Sequence, residues 1–129
     1  MKRPLALASS LVLASSLGLA ACGGSGSSEP AETVPAGALV VTAIPTLRFD
    51  AAEYGPVKAG EVTFGYVNND SVRHTLIIAK DGTKVPNFKL IIGKKGDVDS
   101  GSVTLEAGNY DLLCDVPGHG AMKATLTVE

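Results

Sequence analysis

From about Ala38 onward the chain is a series of short apolar runs broken by Gly, Pro, Asn and Asp. The runs that read as strands are Leu39–Ile44, Glu61–Val67, Thr75–Ala79, Phe88–Ile92, Ser102–Glu106, Asn109–Cys114 and Met122–Val128. Several alternate with period two: Val62, Phe64 and Tyr66; Val103 and Leu105; Tyr110, Leu112 and Cys114; Ala124, Leu126 and Val128. Successive side chains of a strand point to opposite faces, so this alternation predicts strands with one face in a core. Turn residues separate the runs at Asn68-Asn69-Asp70, Asp81-Gly82, Gly93-Lys94-Lys95-Gly96 and Ala107-Gly108-Asn109. No long stretch carries the helical period, and Asp50–Tyr54 is the one place where a single helical turn is expected. The pattern predicts an all-β fold, an antiparallel β-sandwich of seven to eight strands.

Ahead of this region the texture changes. Met1-Lys2-Arg3 is a positive start, and Pro4–Ala21 follows without a charge, the layout of a secretory signal. Gly23–Ser28 reads as a flexible tether, and Glu29–Gly37 continues it with Pro, small and acidic residues. The expected organisation is therefore a signal over 1–21, Cys22 with a tether over 22–37, and one folded domain over 38–129. The signal closes in Leu19-Ala20-Ala21-Cys22, which resembles the bacterial lipoprotein box. That resemblance implies a lipid on the Cys22 thiol, cleavage just before it, and an exported protein anchored to the cell membrane, facing the periplasm or the cell exterior. Two acyl chains suffice for stable anchoring. Cleavage at an Ala-x-Ala-like site, which would release the protein, and retention of the stretch as a membrane helix are the alternative readings.

Composition narrows the function. The 129 residues suit one domain, and eleven basic against thirteen acidic side chains, net −2, leave no cationic footprint for nucleic acid. Two cysteines cannot staple a small secreted scaffold, and only Cys114 lies in the folded region, so an intradomain disulfide is impossible there. The 45% hydrophobic share, against only 19% charged, is partly the signal itself.

The chemistry gathers near the C-terminus, in Cys114-Asp115-Val116-Pro117-Gly118-His119-Gly120-Ala121-Met122. The other histidine, His74, sits forty residues before Cys114, at the mouth of the Thr75–Ala79 strand. Taken singly, each of these residues reads as ordinary structure: Cys as a small buried hydrophobe, His as a solvated turn residue, Met as core. Taken together, a soft thiolate, two imidazoles and a thioether are the ligand set of copper with a weak axial Met. Sulfur suits Cu(I) and imidazole suits Cu(II), so His74, Cys114, His119 and Met122 can hold one copper ion in both states, as one-electron transfer requires.

At these residues the chain resembles the cupredoxins, the small blue copper proteins that include plastocyanin, azurin and auracyanin. Asn68–Ile78 is similar to the loop that delivers the family's first His onto a strand, and Gly108-Asn109-Tyr110-Asp111-Leu112-Leu113-Cys114 to its Gly-x-Tyr-x-x-x-Cys strand. Four residues separate Cys114 from His119, an azurin-like spacing, and Met122–Val128 is similar to the closing strand. The resemblance implies a Greek-key β-sandwich with one mononuclear type 1 copper ion at one end, held by His74, Cys114, His119 and Met122. The chain departs from the pattern twice. Only Gly120 and Ala121 separate His119 from Met122, one or two residues fewer than usual, and Thr75 stands where azurin and plastocyanin carry Asn. The His-x-x-Met spacing also occurs in dinuclear copper domains, but those need a second cysteine in the loop, which is missing here.

The function expected is a membrane-tethered one-electron carrier outside the cytoplasmic membrane. A copper ligated entirely by protein leaves no open position for substrate, so no enzyme is expected. His119 is flanked by Pro117, Gly118, Gly120 and Ala121, which suggests an electron port beneath a modest apolar docking surface for a redox protein such as a cytochrome or a copper oxidase or reductase. Lys94 and Lys95 read as a solvated turn, and the domain is expected to be a monomer. The alternative is an extracytoplasmic copper chaperone or store, using the same ligands to deliver copper to a partner.

Overall fold

A computed structural model describes residues 33–129; the signal, Cys22 and most of the tether lie outside the described residues. Ten strands follow in order: β1 Leu39–Ile44, β2 Arg48–Phe49, β3 Glu53–Val57, β4 Gly60–Asn68, β5 His74–Lys80, β6 Thr83–Lys84, β7 Leu90–Ile92, β8 Val98–Leu105, β9 Gly108–Leu113 and β10 Lys123–Val128. They form two sheets, one ordered β2-β1-β4-β8 and the other β3-β10-β9-β5-β6, with β7 also paired to β5. No helix occurs among the described residues.

The period-two sets point where the sequence places them. Val62, Phe64 and Tyr66 of β4 are buried, as are Tyr110 and Leu112 of β9 and Ala124, Leu126 and Val128 of β10. They pack with Val41, Leu76, Ile78 and Phe88 into one core, where removal of apolar surface from water supplies the main driving force. Phe64 meets Phe88 with ring centroids 5.1 Å apart in a tilted arrangement, and Phe49 meets Tyr66 at 6.3 Å. Strand β5 is buried at every position from His74 to Ala79. Its site-bearing end is therefore set in the interior rather than in a surface loop.

Three features differ from the expected antiparallel sandwich of seven to eight strands. Both sheets are mixed: β1 runs parallel to β4 with Val41 opposite Tyr66, and β3 runs parallel to β10 with Tyr54 opposite Leu126. Parallel partners here come from connections that cross between sheets, which alternation within a strand does not encode. The extra strands β2, β3 and β6 are short and lie at sheet edges. Pro56, which has no N–H to donate, sits in β3, and such a residue is tolerated on an edge. Finally, the helical turn expected at Asp50–Tyr54 is absent. Asp50 instead bends the chain, its Oδ1 accepting the Thr42 N–H at 3.1 Å and the Tyr54 hydroxyl, and Tyr54 enters β3.

Other boundaries shift less. β8 begins at Val98 because β4 pairs it from Val67↔Val98 through Gly60↔Leu105, carrying Asp99, Ser100 and Gly101 into the ladder. Val34, in the stretch read as tether, covers Gly65 of β4 and fills the place where a Cβ would stand.

Truncation in the centre of this core is expected to be severe. Phe64→Ala should lower the unfolding free energy by about 3–5 kcal/mol in a denaturant titration. Val40→Ala, at a position 44% exposed, should change it by less than about 0.5 kcal/mol.

Candidate metal centre

The centre is built by two loops at one end of the sandwich. Antiparallel pairing of β5 with β9 sets Ile77 opposite Leu113 and Ala79 opposite Asp111, so the start of β5 lies beside the end of β9. His74 is the first residue of β5 and Cys114 follows the last residue of β9. Sequence separation of forty residues thus becomes side-by-side placement.

The loop before His74 is folded by its own polar side chains. Asn68 is buried; its Nδ2 donates to the Val72 carbonyl at 2.9 Å and its Oδ1 accepts the Asp70 N–H at 2.9 Å. Asp70 Oδ1 in turn accepts the Ser71 N–H at 2.7 Å. These Asx-type bonds turn the chain back so that Asp70 Oδ2 lies 2.9 Å from His74 Nε2. The hydrogen bond from His74 holds the Asp70 carboxyl below the usual carboxylate range, and the Ser71 N–H adds to it.

The second loop is two successive turns. The His119 N–H donates to the Val116 carbonyl at 3.0 Å, with Pro117 and Gly118 between them and Gly118 at φ +86°, the signature of a type II turn. The Met122 N–H then donates to the His119 carbonyl at 2.9 Å, across Gly120 and Ala121. The Cys114 N–H reaches the Met122 carbonyl at 3.4 Å and closes the base of the loop. Met122 is buried in the core cluster together with Cys114. The short His-x-x-Met spacing is accommodated by a turn that leaves Met122 at the loop's base, next to Cys114.

The ligand atoms of His74, Cys114 and His119 all lie within 4.8 Å of one another. Cys114 Sγ and His119 Nδ1 are 3.6 Å apart, and the two imidazole centroids are 4.9 Å apart. His74 is fully buried, yet its Nδ1 has no hydrogen-bond partner, alone among the buried side-chain nitrogens and oxygens of the described residues. A buried polar atom without a partner costs about 1–3 kcal/mol. With Nε2 committed to Asp70, a partnerless Nδ1 on a histidine clustered with a thiol and a second imidazole fits a soft or borderline metal ion. This donor set fits copper.

A clamp joins the residues that follow the two ligands. Thr75 Oγ1 donates to Asp115 Oδ1 at 2.6 Å and accepts the Asp115 N–H at 2.9 Å. The Thr75 N–H points at Cys114 Sγ from 3.4 Å. A hydroxyl has one proton, and the short bond to the carboxylate outcompetes the 3.5 Å contact from Oγ1 to the sulfur, leaving the backbone N–H as the donor to sulfur. The Thr75 hydroxyl, followed by Lys89 at 2.9 Å, keeps the Asp115 carboxyl below its ordinary range. Beneath the site the Tyr66 hydroxyl donates to the Thr75 carbonyl at 3.2 Å, and burial raises its ionisation well above a free phenol.

The structure thus brings His74, Cys114 and His119 together and seats Met122 beside them; Cys22 lies outside the described residues. Sequence reasoning had Asp70 only as a turn residue and gave Asp115 no role, although the Asp-x-x-x-His spacing was a signal for the first.

A β-sandwich carrying two imidazoles and a thiol at one end, with a methionine at the loop's base, is a type 1 copper architecture. The family of copper-binding proteins of the plastocyanin/azurin type matches residues 37–129, and the chain belongs to it. Members of this family carry electrons and are not enzymes. A search of curated proteins finds no match. Among solved structures, the fold is similar to dithionite-reduced auracyanin from Roseiflexus castenholzii, with TM-score 0.58 and 18% identity over 75% of this chain and 99% of that one. Auracyanin A from Chloroflexus aurantiacus, a "blue" copper protein, gives 0.58 and 22% over 71% and 98%. Amicyanin from Paracoccus versutus gives 0.54 and 25% over 74% and 85%.

The clamp has a measurable weight. Thr75→Val deprives the Asp115 N–H and carboxylate of their partner and is expected to destabilise the metal-free protein by about 1–3 kcal/mol in urea unfolding. Thr75→Ser should retain most of the stability; equal losses in both variants would show that the hydroxyl does not hold the loops together.

Proposed function

We propose that the chain is a membrane-tethered blue copper protein that passes single electrons outside the cytoplasmic membrane. In this reading His74, Cys114 and His119 would hold the copper with Met122 as the fourth ligand, and a lipid on Cys22 would be the anchor. The observation that carries the metal reading is the buried, partnerless Nδ1 of His74 in one cluster with Cys114 and His119. The anchor rests on Leu19-Ala20-Ala21-Cys22 and the Gly/Ser stretch behind it.

Bound copper supplies a one-electron couple between Cu(II) and Cu(I). The protein's part is to keep its donors in one arrangement through that change. His74 is fixed by Asp70, Cys114 by the Thr75 N–H and the Met122 carbonyl, and His119 by the type II turn. Donors held this way need not move when the charge changes, so reorganisation is small. His119 is the most exposed of the three, and Pro117, Gly118, Gly120 and Ala121 around it are exposed and uncharged. That surface suits a brief encounter with a redox protein.

Three measurements test this reading. The detergent-solubilised full chain is expected to bind one equivalent of Cu(II) with an intense blue thiolate-to-copper band, lost in Cys114→Ser; a colourless protein with tetragonal copper signals would sink it. Met122→Leu should shift the midpoint potential, and an unchanged potential would remove Met122 from the ligand set. For the anchor, the wild-type chain should fractionate with membranes and Cys22→Ser with the soluble fraction. A wild-type chain found soluble would overturn the tether.

A further inference from the structure

Two carboxylates flank the centre, and they are not alike. Asp115, next to Cys114, is partly exposed and offset by cations, with Lys89 Nζ at 2.9 Å and Lys84 Nζ at 3.9 Å from its Oδ2. Asp70 is only 7% exposed, and among the described residues no lysine or arginine pairs with it. Its carboxylate accepts from the Ser71 N–H and the His74 ring, while its own backbone N–H donates to Asn68 Oδ1.

A buried carboxylate without a cation is unfavourable unless something positive compensates it. The two oxygens accept separate bonds, Oδ1 from the Ser71 N–H and Oδ2 from His74 Nε2, whereas a neutral Asn has one acceptor oxygen and could keep only one of them. The far side of the imidazole is where a bound cation would compensate the charge. Asp70 Oδ2 accepts from Nε2, which makes His74 the tautomer with hydrogen on Nε2 and an open lone pair on Nδ1, the atom that has no other partner. A carboxylate, an imidazole and a metal in line form the arrangement in which an outer carboxylate orients the ring and raises its basicity.

We propose that Asp70 is a positioning residue that sets the redox balance of this centre, by fixing the tautomer of His74 and by placing an uncompensated negative charge behind it. This rests on His74 being a copper ligand, as argued above. Cu(II) carries one positive charge more than Cu(I), so a fixed negative charge nearby favours the oxidised state. Burial keeps solvent from screening the interaction. Asp70 therefore lowers the potential, while Asp115, already offset by Lys89 and Lys84 near the surface, contributes less.

The test is voltammetry of the copper-loaded full chain and of Asp70→Asn, which removes the charge and keeps one acceptor oxygen for Nε2 while giving up the acceptor for the Ser71 N–H. The expected result is an unchanged blue band with the Cu(II)/Cu(I) equilibrium moved about tenfold toward Cu(I), a rise of about 59 mV. A blue variant whose equilibrium moves by less than about twofold would overturn the proposal. A wild-type protein with no blue band would instead overturn the ligand reading beneath it. If Asp70→Asn fails to fold, nitrogen-15 resonance of the metal-free wild-type imidazole decides: hydrogen on His74 Nε2 is expected, and hydrogen on Nδ1 would overturn the assignment.

Discussion

Antiparallel pairing of β5 with β9 is the constraint on which the rest of this molecule depends. It sets Ile77 against Leu113, and two steps further along the ladder brings His74 and Thr75 beside Cys114 and Asp115. A slip of one residue would exchange the faces of the strand, turning Cys114 out of the core and leaving Thr75 without Asp115. Leu112 of β9 opposes such a slip, since it is buried between the only partly buried Asp111 and Leu113 and would have to leave the interior. Hydrophobic packing in the sandwich thus fixes the position of a sulfur and a nitrogen at its end. The metal does not have to gather its donors from a flexible chain, because the sheet has already done so.

Much of this was legible in the sequence, for identifiable reasons. The inward faces of β4, β9 and β10 follow from alternation, because those strands each bury one face against the same core. His74, Cys114, His119 and Met122 stood out by chemistry and scarcity, and Pro117-Gly118 spelled the turn that presents His119. What stayed hidden depends on long-range geometry. The parallel pairings β1–β4 and β3–β10 arise from how strands cross between sheets, and β2 and β6, two residues each, are too short to show a period. Glu53–Val57 contains Gly55 and Pro56, which read as breakers and are tolerated only because β3 is an edge.

The clamp between the two ligand loops was hidden for a related reason. Thr75 looked like a departure from the amide that azurin and plastocyanin carry at this place, yet it joins the two ligand loops. A hydroxyl after the histidine meets a carboxylate after the cysteine, with two bonds of 2.6 and 2.9 Å. Neither residue signals this alone; the pair becomes visible only once β5 and β9 are aligned. Asp115 places a negative charge beside Cys114, and Lys89 at 2.9 Å answers it. A carboxylate is tolerable at this surface-facing position because a cation can reach it.

That compensation sharpens the contrast with the other side of the centre. A protein that needed only rigid loops could close both with neutral side chains, as Asn68 does with its amide. At Asp70 it keeps a charge that no lysine or arginine of the described residues pairs with, and the imidazole of the donor cluster is bonded to it. The two histidines consequently have different tasks. His119, partly exposed on a turn of small residues, is the contact to the outside. His74, fully buried and backed by a carboxylate, is the electrostatic floor of the site. Splitting the tasks in this way lets the exposed loop meet a partner without disturbing the residue pair that determines how readily the electron leaves.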